Sequence, residues 1–250
     1  MDSQTPTTCL GIIPARWASS RFPGKPLADL NGRPMVLHVW DKCRQAGLDR
    51  IVIATDDERI AACCQEAGAE VQLTDPDLPS GTDRCAVVAR DATEDLVINI
   101  QGDEPFISPD AIRQLVALLK DQPICPIATL ARKEVDPEVL SSPNVVKVVC
   151  NNLGEAMYFS RAWIPYQRDR ERDQWPLHAT YLTHIGLYGF RRDILMELSA
   201  LPVGILERTE QLEQLRWLSE GYRISVGVTD YQSMGIDTPE DLVRARLWSL

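Results

Sequence analysis

Three cations on a loop without acids are the first residues in this chain that could do chemistry. Between Pro14 and Pro26 lie Arg16, Arg21 and Lys25 and no Asp or Glu, inside a chain whose net charge is −10. A local inversion of charge attracts an anion. Arg binds phosphate oxygens two at a time, Lys adds a compact charge, and loop N–H groups add uncharged donors, so the combination suits a polyphosphate. Gly24-Lys25 is not a Walker-type phosphate loop, because that motif needs Ser or Thr after the Lys and a helix starting there, whereas Pro26 follows here. Composition alone leaves a solvated surface loop as the other reading.

Two further polar stretches follow strand-like runs. Asp103 and Glu104, in Gln101-Gly102-Asp103-Glu104-Pro105, come directly after the apolar run 96–100. Hard divalent cations such as Mg2+ take carboxylate oxygens plus substrate phosphates instead of a full protein cage, so one well-placed Asp suffices. A solvated turn before a helix starting at Ser108-Pro109 is the alternative. The loop 74–84 ends in Ser80-Gly81-Thr82-Asp83-Arg84, whose N–H and hydroxyl groups serve either a base or ribose, or the cap of the helix that follows. Both readings stay open on the residues alone.

These groups act together only if the strands before them end on one side of a sheet. Leu10 to Ile13 is apolar on both faces, as a central parallel strand is, and Pro14, lacking an N–H, is expected to end it. Asn31-Gly32 marks a turn, Pro34 a first helical position, and Met35, Val36, Val39, Trp40 and Cys43 the buried face of a helix over 35–46 that stops at Gly47. A strand over 50–55, a cap at Asp56-Asp57, a helix over 58–67, a strand over 70–74, a helix over 84–92 and the strand over 96–100 follow. This βαβαβ alternation predicts a doubly wound, mostly parallel α/β sheet with right-handed crossovers and ligands at the carboxyl ends of its strands. The three polar stretches then share one crevice.

Beyond residue 120 the pattern predicts strands over 123–132, 144–150, 181–190 and 223–229. An amphipathic helix over 206–218 buries Leu212, Leu215 and Leu218. The alternation breaks over 151–192, read as a small subdomain added to a single domain over 1–250. Its Trp163, Trp175 and tyrosines exceed what a sheet needs and mark an interface. His184, Gly186 and Tyr188 share one strand face, where packing is the ordinary role for such residues, and the charged run 168–173 reads as a solvated turn. Gly235-Ile236-Asp237 leads into the capping-box pattern Thr238-Pro239-Glu240-Asp241.

Composition bounds the rest. At 250 residues, 44% hydrophobic and 25% charged, the chain has ample core for one large α/β domain. A pI near 4.8 argues against nucleic acid as a partner. No apolar run approaches the roughly 20 residues that span a bilayer, so membrane insertion is not expected. Residues 1–8 lack the basic start and apolar core of a signal or transit peptide, which points to the cytoplasm. Seven cysteines without a Cys-x-x-Cys pair indicate reduced thiols instead of disulfides or zinc.

Taken together, Ile12-Ile13-Pro14-Ala15-Arg16-Trp17-Ala18-Ser19-Ser20-Arg21-Phe22-Pro23-Gly24-Lys25-Pro26-Leu27, Ser80 to Arg84, Asn99 to Pro105 and Gly235 to Leu242 resemble, in this order, the 3-deoxy-manno-octulosonate (Kdo) cytidylyltransferase family. The resemblance runs from about residue 9 to the C-terminus, and the order of the motifs is more specific than any one of them. It implies a nucleotide-diphospho-sugar transferase-like fold, CTP and Kdo as substrates, CMP-Kdo and pyrophosphate as products, Mg2+ as cofactor and a homodimer. The activated Kdo would serve lipopolysaccharide-type glycan synthesis, and residues 151–192 would help build the sugar site and the dimer interface.

The resemblance also implies roles for residues. Pro14, Ala15, Arg16, Arg21, Lys25, Ser80, Gly81, Thr82, Arg84, Gln101 and Gly102 would contact the nucleotide. Arg16, Lys25 and Asp103 would be catalytic, and Asp103 and Asp237 would hold the metal. Gln101, Arg168, His184, Tyr188, Glu213 and Gln214 would contact the sugar, with Arg168 on its carboxylate and His184 and Tyr188 on its hydroxyls. Sharing a metal requires the strand over 223–229 to lie near the central strand. A CMP-sialate synthetase or hexose-phosphate nucleotidyltransferase is the nearest alternative, although a neutral hexose has no carboxylate for Arg168. A non-catalytic nucleotide-binding module would lack Asp103 and Asp237, and a nicotinamide dehydrogenase would need a Gly-x-Gly-x-x-Gly after the first strand.

Overall fold

The computed structural model describes residues 7–19, 21–232 and 234–248. Its strands are β1 (Cys9–Ala15), β2 (Asp29–Leu30), β3 (Arg33–Pro34), β4 (Arg50–Thr55), β5 (Glu70–Leu73), β6 (Leu96–Asn99), β7 (Ile127–Glu134), β8 (Lys147–Cys150), β9 (Ala156–Ser160), β10 (Tyr181–Arg191) and β11 (Ile224–Val228). The α-helices are α1 (Met35–Ala46), α2 (Glu58–Glu66), α3 (Gly81–Ala89), α4 (Pro109–Asp121), α5 (Pro137–Ser141), α6 (Arg192–Ser199), α7 (Ile205–Glu210), α8 (Gln214–Ser219) and α9 (Pro239–Ala245).

The main sheet runs β11-β7-β10-β6-β1-β4-β5. β5, β4, β1 and β6 are parallel, β10 lies antiparallel between β6 and β7, and β11 is parallel to β7. β8 and β9 extend the sheet sideways from β10. Both faces are covered. Ile13, Ile53 and Ile98 pack with Val39 of α1, Ile60 of α2 and Leu115 of α4, while Leu10, Val97 and Phe190 pack with Cys85 of α3, Leu195 of α6 and Leu215 of α8. This is the doubly wound, mostly parallel sheet that alternating apolar runs predict.

Local signals explain most boundaries. α1 ends where Gly47 turns left-handed at φ 78°. α4 starts at Ser108, whose hydroxyl accepts from Asp110 N–H at 3.2 Å. α9 carries the capping box, with Thr238 and Asp241 satisfying each other's backbone N–H groups.

Five expectations need correction. Pro14 does not end β1, which runs on to Ala15. Ile12 turns its carbonyl to the β6 side, accepting Ile100 N–H at 3.0 Å; Pro14, two residues on, points the same way, past the end of the β1–β6 pairing at Ile12 and Asn99, so its missing N–H costs no ladder bond. Pro34 is the N-cap of α1 and not its first residue. α3 starts at Gly81, three residues before the predicted start, because the Ser80 hydroxyl caps it by accepting from Asp83 N–H at 3.1 Å.

The amphipathic stretch 206–218 is two helices, α7 and α8, split at Gln211 with φ 51°. Glu210 is held by the end of β9, accepting from Ser160 Oγ at 2.6 Å and Arg161 N–H at 2.9 Å, and these tertiary bonds override the helical pattern. The fifth correction concerns the added segment. Trp175 is buried with Leu140 and Tyr181 in a small core of its own, against which Trp163 packs, so these aromatics have an intramolecular use.

Candidate functional site

Lys25 stands at the centre of the site. Gly24, left-handed at φ 72°, starts a single 3-10 turn over Lys25–Leu27 and aims the Lys25 side chain across the ends of the strands. Its ammonium donates to Asp103 Oδ2 at 2.7 Å and to Asp237 Oδ1 at 3.2 Å. Arg21 pairs with the other Asp237 oxygen at 3.0 Å. Two carboxylates 134 positions apart in sequence thus converge on one cation.

The route by which Asp237 arrives differs from the expected one. β11 lies at the far edge of the sheet beside β7, not beside β6. The chain after β11 returns across the strand ends, and Ile236 N–H donates to the Asp103 carbonyl at 2.9 Å. Ile236 is buried with Leu30 and Met35, which anchors the returning segment.

Around these charges lies an open cleft of about 260 Å3, lined by Pro14, Ala15, Arg16, Arg21, Lys25, Ser80, Gly81, Arg84, Gln101, Gly102, Asp103 and Asp237, with Ser19, Pro26, Leu78 and Pro79 completing its wall. Gly102 makes this possible, since a Cβ there would come within 2.6 Å of the Pro14 carbonyl oxygen. Arg84 is buried beside Asp56 at 3.7 Å and hydrogen-bonds Thr74. Burial pulls its pKa down, Asp56 opposes that, and the like charge of Arg16 adds to the lowering. Arg16 is exposed and forms no ion pair among the described residues, so the wall facing the cleft carries surplus positive potential.

Thr82 is the one predicted nucleotide residue outside the cleft wall. It lies in the first turn of α3, where its hydroxyl donates to Glu213 Oε2 at 2.7 Å, and the one proton of the Ser80 hydroxyl is shared between Asp83 Oδ2 at 2.7 Å and Glu213 Oε1 at 3.1 Å. Burial raises the Glu213 pKa, and the two hydroxyl hydrogen bonds only partly offset this. Gln214, next to it, is buried at the start of α8.

His184 and Tyr188 share a face despite an irregularity between them. Ile185 pairs with Leu130 but Tyr188 with Thr129, so two extra residues bulge out and the alternation is preserved. Their rings lie 5.2 Å apart, and Tyr188 packs edge-on to Trp217 of α8 at 5.2 Å. Burial lowers the His184 pKa to about 3, so the imidazole is neutral at physiological pH. Thr129 Oγ1 donates its one proton to a carbonyl, Leu187 O at 2.8 Å being the nearer, and so accepts from His184 Nε2 at 2.9 Å, which leaves Nδ1 as an acceptor. The Tyr188 hydroxyl, Asn99 Oδ1 and Trp217 Nε1 are buried without a partner.

Arg168 does not join this group. Its side chain is 90% exposed on the loop that runs out from the sheet after β9, where it lies 3.7 Å from Asp169. Sequence reasoning also missed Asp56, Asn99 and Trp217. Asp56 looked like a helix cap shared with Asp57, but only Asp57 caps α2; Asp56 accepts from Trp17 N–H at 2.9 Å and pairs with Arg84. Asn99 and Trp217 carry no signal of their own in the sequence, and it is the fold that places both beside Tyr188. Among the described residues no helix is long and apolar enough to cross a membrane.

A doubly wound sheet with cations, carboxylates and glycines at its strand ends defines the nucleotidyltransferase-like class. The chain is similar over 96% of its length to a solved CMP:2-keto-3-deoxy-manno-octonic acid synthetase complexed with CTP, with a TM-score of 0.90, 40% identity and 97% of that chain covered. A 4-diphosphocytidyl-2C-methyl-D-erythritol synthase from Anaerococcus prevotii shares the fold at a TM-score of 0.64 and 15% identity, with 96% of this chain and 97% of that chain covered. The cytidylyltransferase family profile matches residues 10–224. A 3-deoxy-manno-octulosonate cytidylyltransferase from an Anaeromyxobacter species is 50% identical over 238 residues, covering 94% of each chain. Another, from Solibacter usitatus, is 48% identical over 240 residues, covering 96% of this chain and 93% of the relative. The chain belongs to the 3-deoxy-manno-octulosonate cytidylyltransferase family.

Proposed function

We propose that the protein transfers CMP from CTP to the anomeric hydroxyl of Kdo, giving CMP-Kdo and pyrophosphate. One observation carries this reading: the acid-free loop delivers Lys25 to within 2.7 Å of Asp103 and 3.2 Å of Asp237, beside Ser80, Gly81 and Gln101 in one cleft. The α-phosphorus of CTP is attacked in line while Arg16 and Lys25 hold the departing pyrophosphate, and Arg21 adds charge from the same loop. Catalysis of this kind is positioning and charge neutralisation, which accounts for a site rich in cations, glycines and carboxylates.

Asp103 and Asp237 fit a hard divalent cation, because both present carboxylate oxygens to a single cationic point. When bound there, Mg2+ neutralises phosphate charge. Ser80 and Gly81 place N–H and hydroxyl groups for the nucleotide. Glu213, Gln214, His184 and Tyr188 form the sugar side. The neutral His184 acts as a hydrogen-bonding partner instead of an acid. Arg168 stands outside this group on an exposed loop, so its assignment to the sugar carboxylate rests on the family resemblance alone.

The reaction is placed in the cytoplasm, where it activates Kdo for lipopolysaccharide-type glycans. The active form is a homodimer built through residues 151–192, a segment that exposes Tyr166 at 73% and Leu177 at 79%. A sedimentation run showing only a 28.0 kDa species at micromolar concentration would count against the dimer.

The test of the activity is pyrophosphate release from each nucleoside triphosphate against Kdo, sialic acid and glucose-1-phosphate. CTP with Kdo is expected to exceed every other pair by a wide margin. Equal rates for UTP with glucose-1-phosphate would overturn the assignment.

A further inference from the structure

Trp17 and Arg59 lie outside the cleft wall, yet they hold the loop that supplies its cations. The Arg59 guanidinium stacks over the Trp17 indole, its central carbon 3.3 Å from the ring centroid. Asp57 fixes that guanidinium with two bonds, Nε to Oδ1 at 2.9 Å and a terminal nitrogen to Oδ2 at 2.6 Å. The same Asp57 is the N-cap of α2, so the stack is anchored to a helix and not to another loop. Gly24 sits against the indole, and a Cβ there would come within 2.9 Å of a ring carbon.

The Trp17 backbone is held as firmly as its ring. Its N–H donates to Asp56 Oδ1 at 2.9 Å, and its carbonyl accepts from Gly24 N–H at 3.0 Å. Trp17 and Gly24 are therefore tied backbone to backbone, with Arg16 immediately before Trp17, Lys25 immediately after Gly24 and Arg21 between them in sequence.

We infer that Arg59 and Trp17 form a latch that positions Arg16, Arg21 and Lys25 for the triphosphate, with Arg59 a positioning residue that acts through Trp17. The inference rests on the proposed reading of this loop as the triphosphate site. A partly exposed guanidinium–indole stack is weak, so its loss loosens the loop without unfolding the protein.

The experiment is calorimetric CTP binding to the full chain and its variants, with steady-state kinetics for both substrates. Arg59→Ala is expected to weaken CTP binding about fivefold and raise the KM for CTP, with the KM for Kdo and the melting temperature nearly unchanged. Asp57→Asn keeps the helix cap and the Arg59 charge but loses the paired anchor, so it is expected to weaken CTP to a similar extent. In a Trp17→Leu background the further effect of Arg59→Ala falls below about twofold, because coupled residues are not additive. Wild-type CTP affinity in both Arg59→Ala and Asp57→Asn overturns the latch, as does a full Arg59→Ala effect without the indole, which would make Arg59 a direct long-range charge. If the unaltered protein binds Kdo but not CTP, the triphosphate reading of the loop falls, and the latch with it.

Discussion

Glu213 accepts the Thr82 hydroxyl at 2.7 Å, tying the break between α7 and α8 to the first turn of α3. The same carboxylate lies 3.1 Å from the Ser80 hydroxyl, whose proton it shares with Asp83 and which lines the nucleotide cleft, so one buried acid links the proposed sugar side to the nucleotide side. Burial raises its pKa above the ordinary value of 4.5. The unfolded chain therefore releases this proton first as pH rises, and the stability it contributes is present below pH 4.5 and lost as pH climbs through the raised value. Glu213→Gln should flatten that part of the melting-temperature profile. Superimposable profiles for the two proteins would show that Glu213 does not titrate in this way.

His184 has the opposite sign. Its pKa is lowered to about 3 by burial, against 6.5 when unfolded, so its contribution is present above pH 6.5 and is lost as pH falls towards 3. His184→Gln should remove this acid-side loss, measured as thermal stability against pH, and should also raise the KM for the sugar while leaving that for CTP nearly unchanged. A KM increase confined to CTP would assign His184 to the wrong half of the site.

Asp103 and Asp237 separate chemistry from stability. Both are partly solvated, and the Arg21–Asp237 pair joins a guanidinium 64% exposed to a carboxylate 48% exposed, so their ion pairs contribute little to folding. Asp103→Asn or Asp237→Asn should cost at least about a hundredfold in turnover with little change in melting temperature. Near-normal Mg2+-dependent turnover in either folded variant would remove that residue from the proposed metal site.

Much of this arrangement was legible in sequence because it depends on local signals. The apolar runs of β1, β4 and β6 could only be buried strands, and a doubly wound sheet places whatever follows them in one crevice, which is why Lys25, Ser80 and Asp103 could be grouped before their contacts were known. Features decided by distant contacts were not legible. Leu212, Leu215 and Leu218 keep helical spacing immediately after Gln211 and nothing local marks a break there, which comes from the grip of Ser160 and Arg161 on Glu210. Asp56 and Asp57 are the same residue type side by side, and their division between pinning Trp17 and capping α2 exists only once β1 lies against β4. Arg168 carries the charge a sugar acid needs, but sequence spacing did not show that its loop leads away from the sheet.

Gly102 offers a backbone test of the cleft. A Cβ there would sit 2.6 Å from the Pro14 carbonyl oxygen, a contact that backbone cannot relieve by rotating a side chain. Gly102→Ala should destabilise the protein by about 1–3 kcal/mol and displace the neighbouring Gln101 and Asp103, lowering turnover further than the stability loss alone. Wild-type melting and activity would mean that the loop after β6 has room to move.

The most direct measurement follows the label from CTP carrying a radioactive α-phosphate, incubated with Kdo and Mg2+. Attack at the α-phosphorus puts the label on the sugar product, with one unlabelled pyrophosphate released for each labelled CMP-Kdo formed. Label left on free CMP, or product formed equally well when Kdo is replaced by glucose-1-phosphate, would contradict the transfer that the cleft around Lys25, Asp103 and Asp237 is proposed to perform.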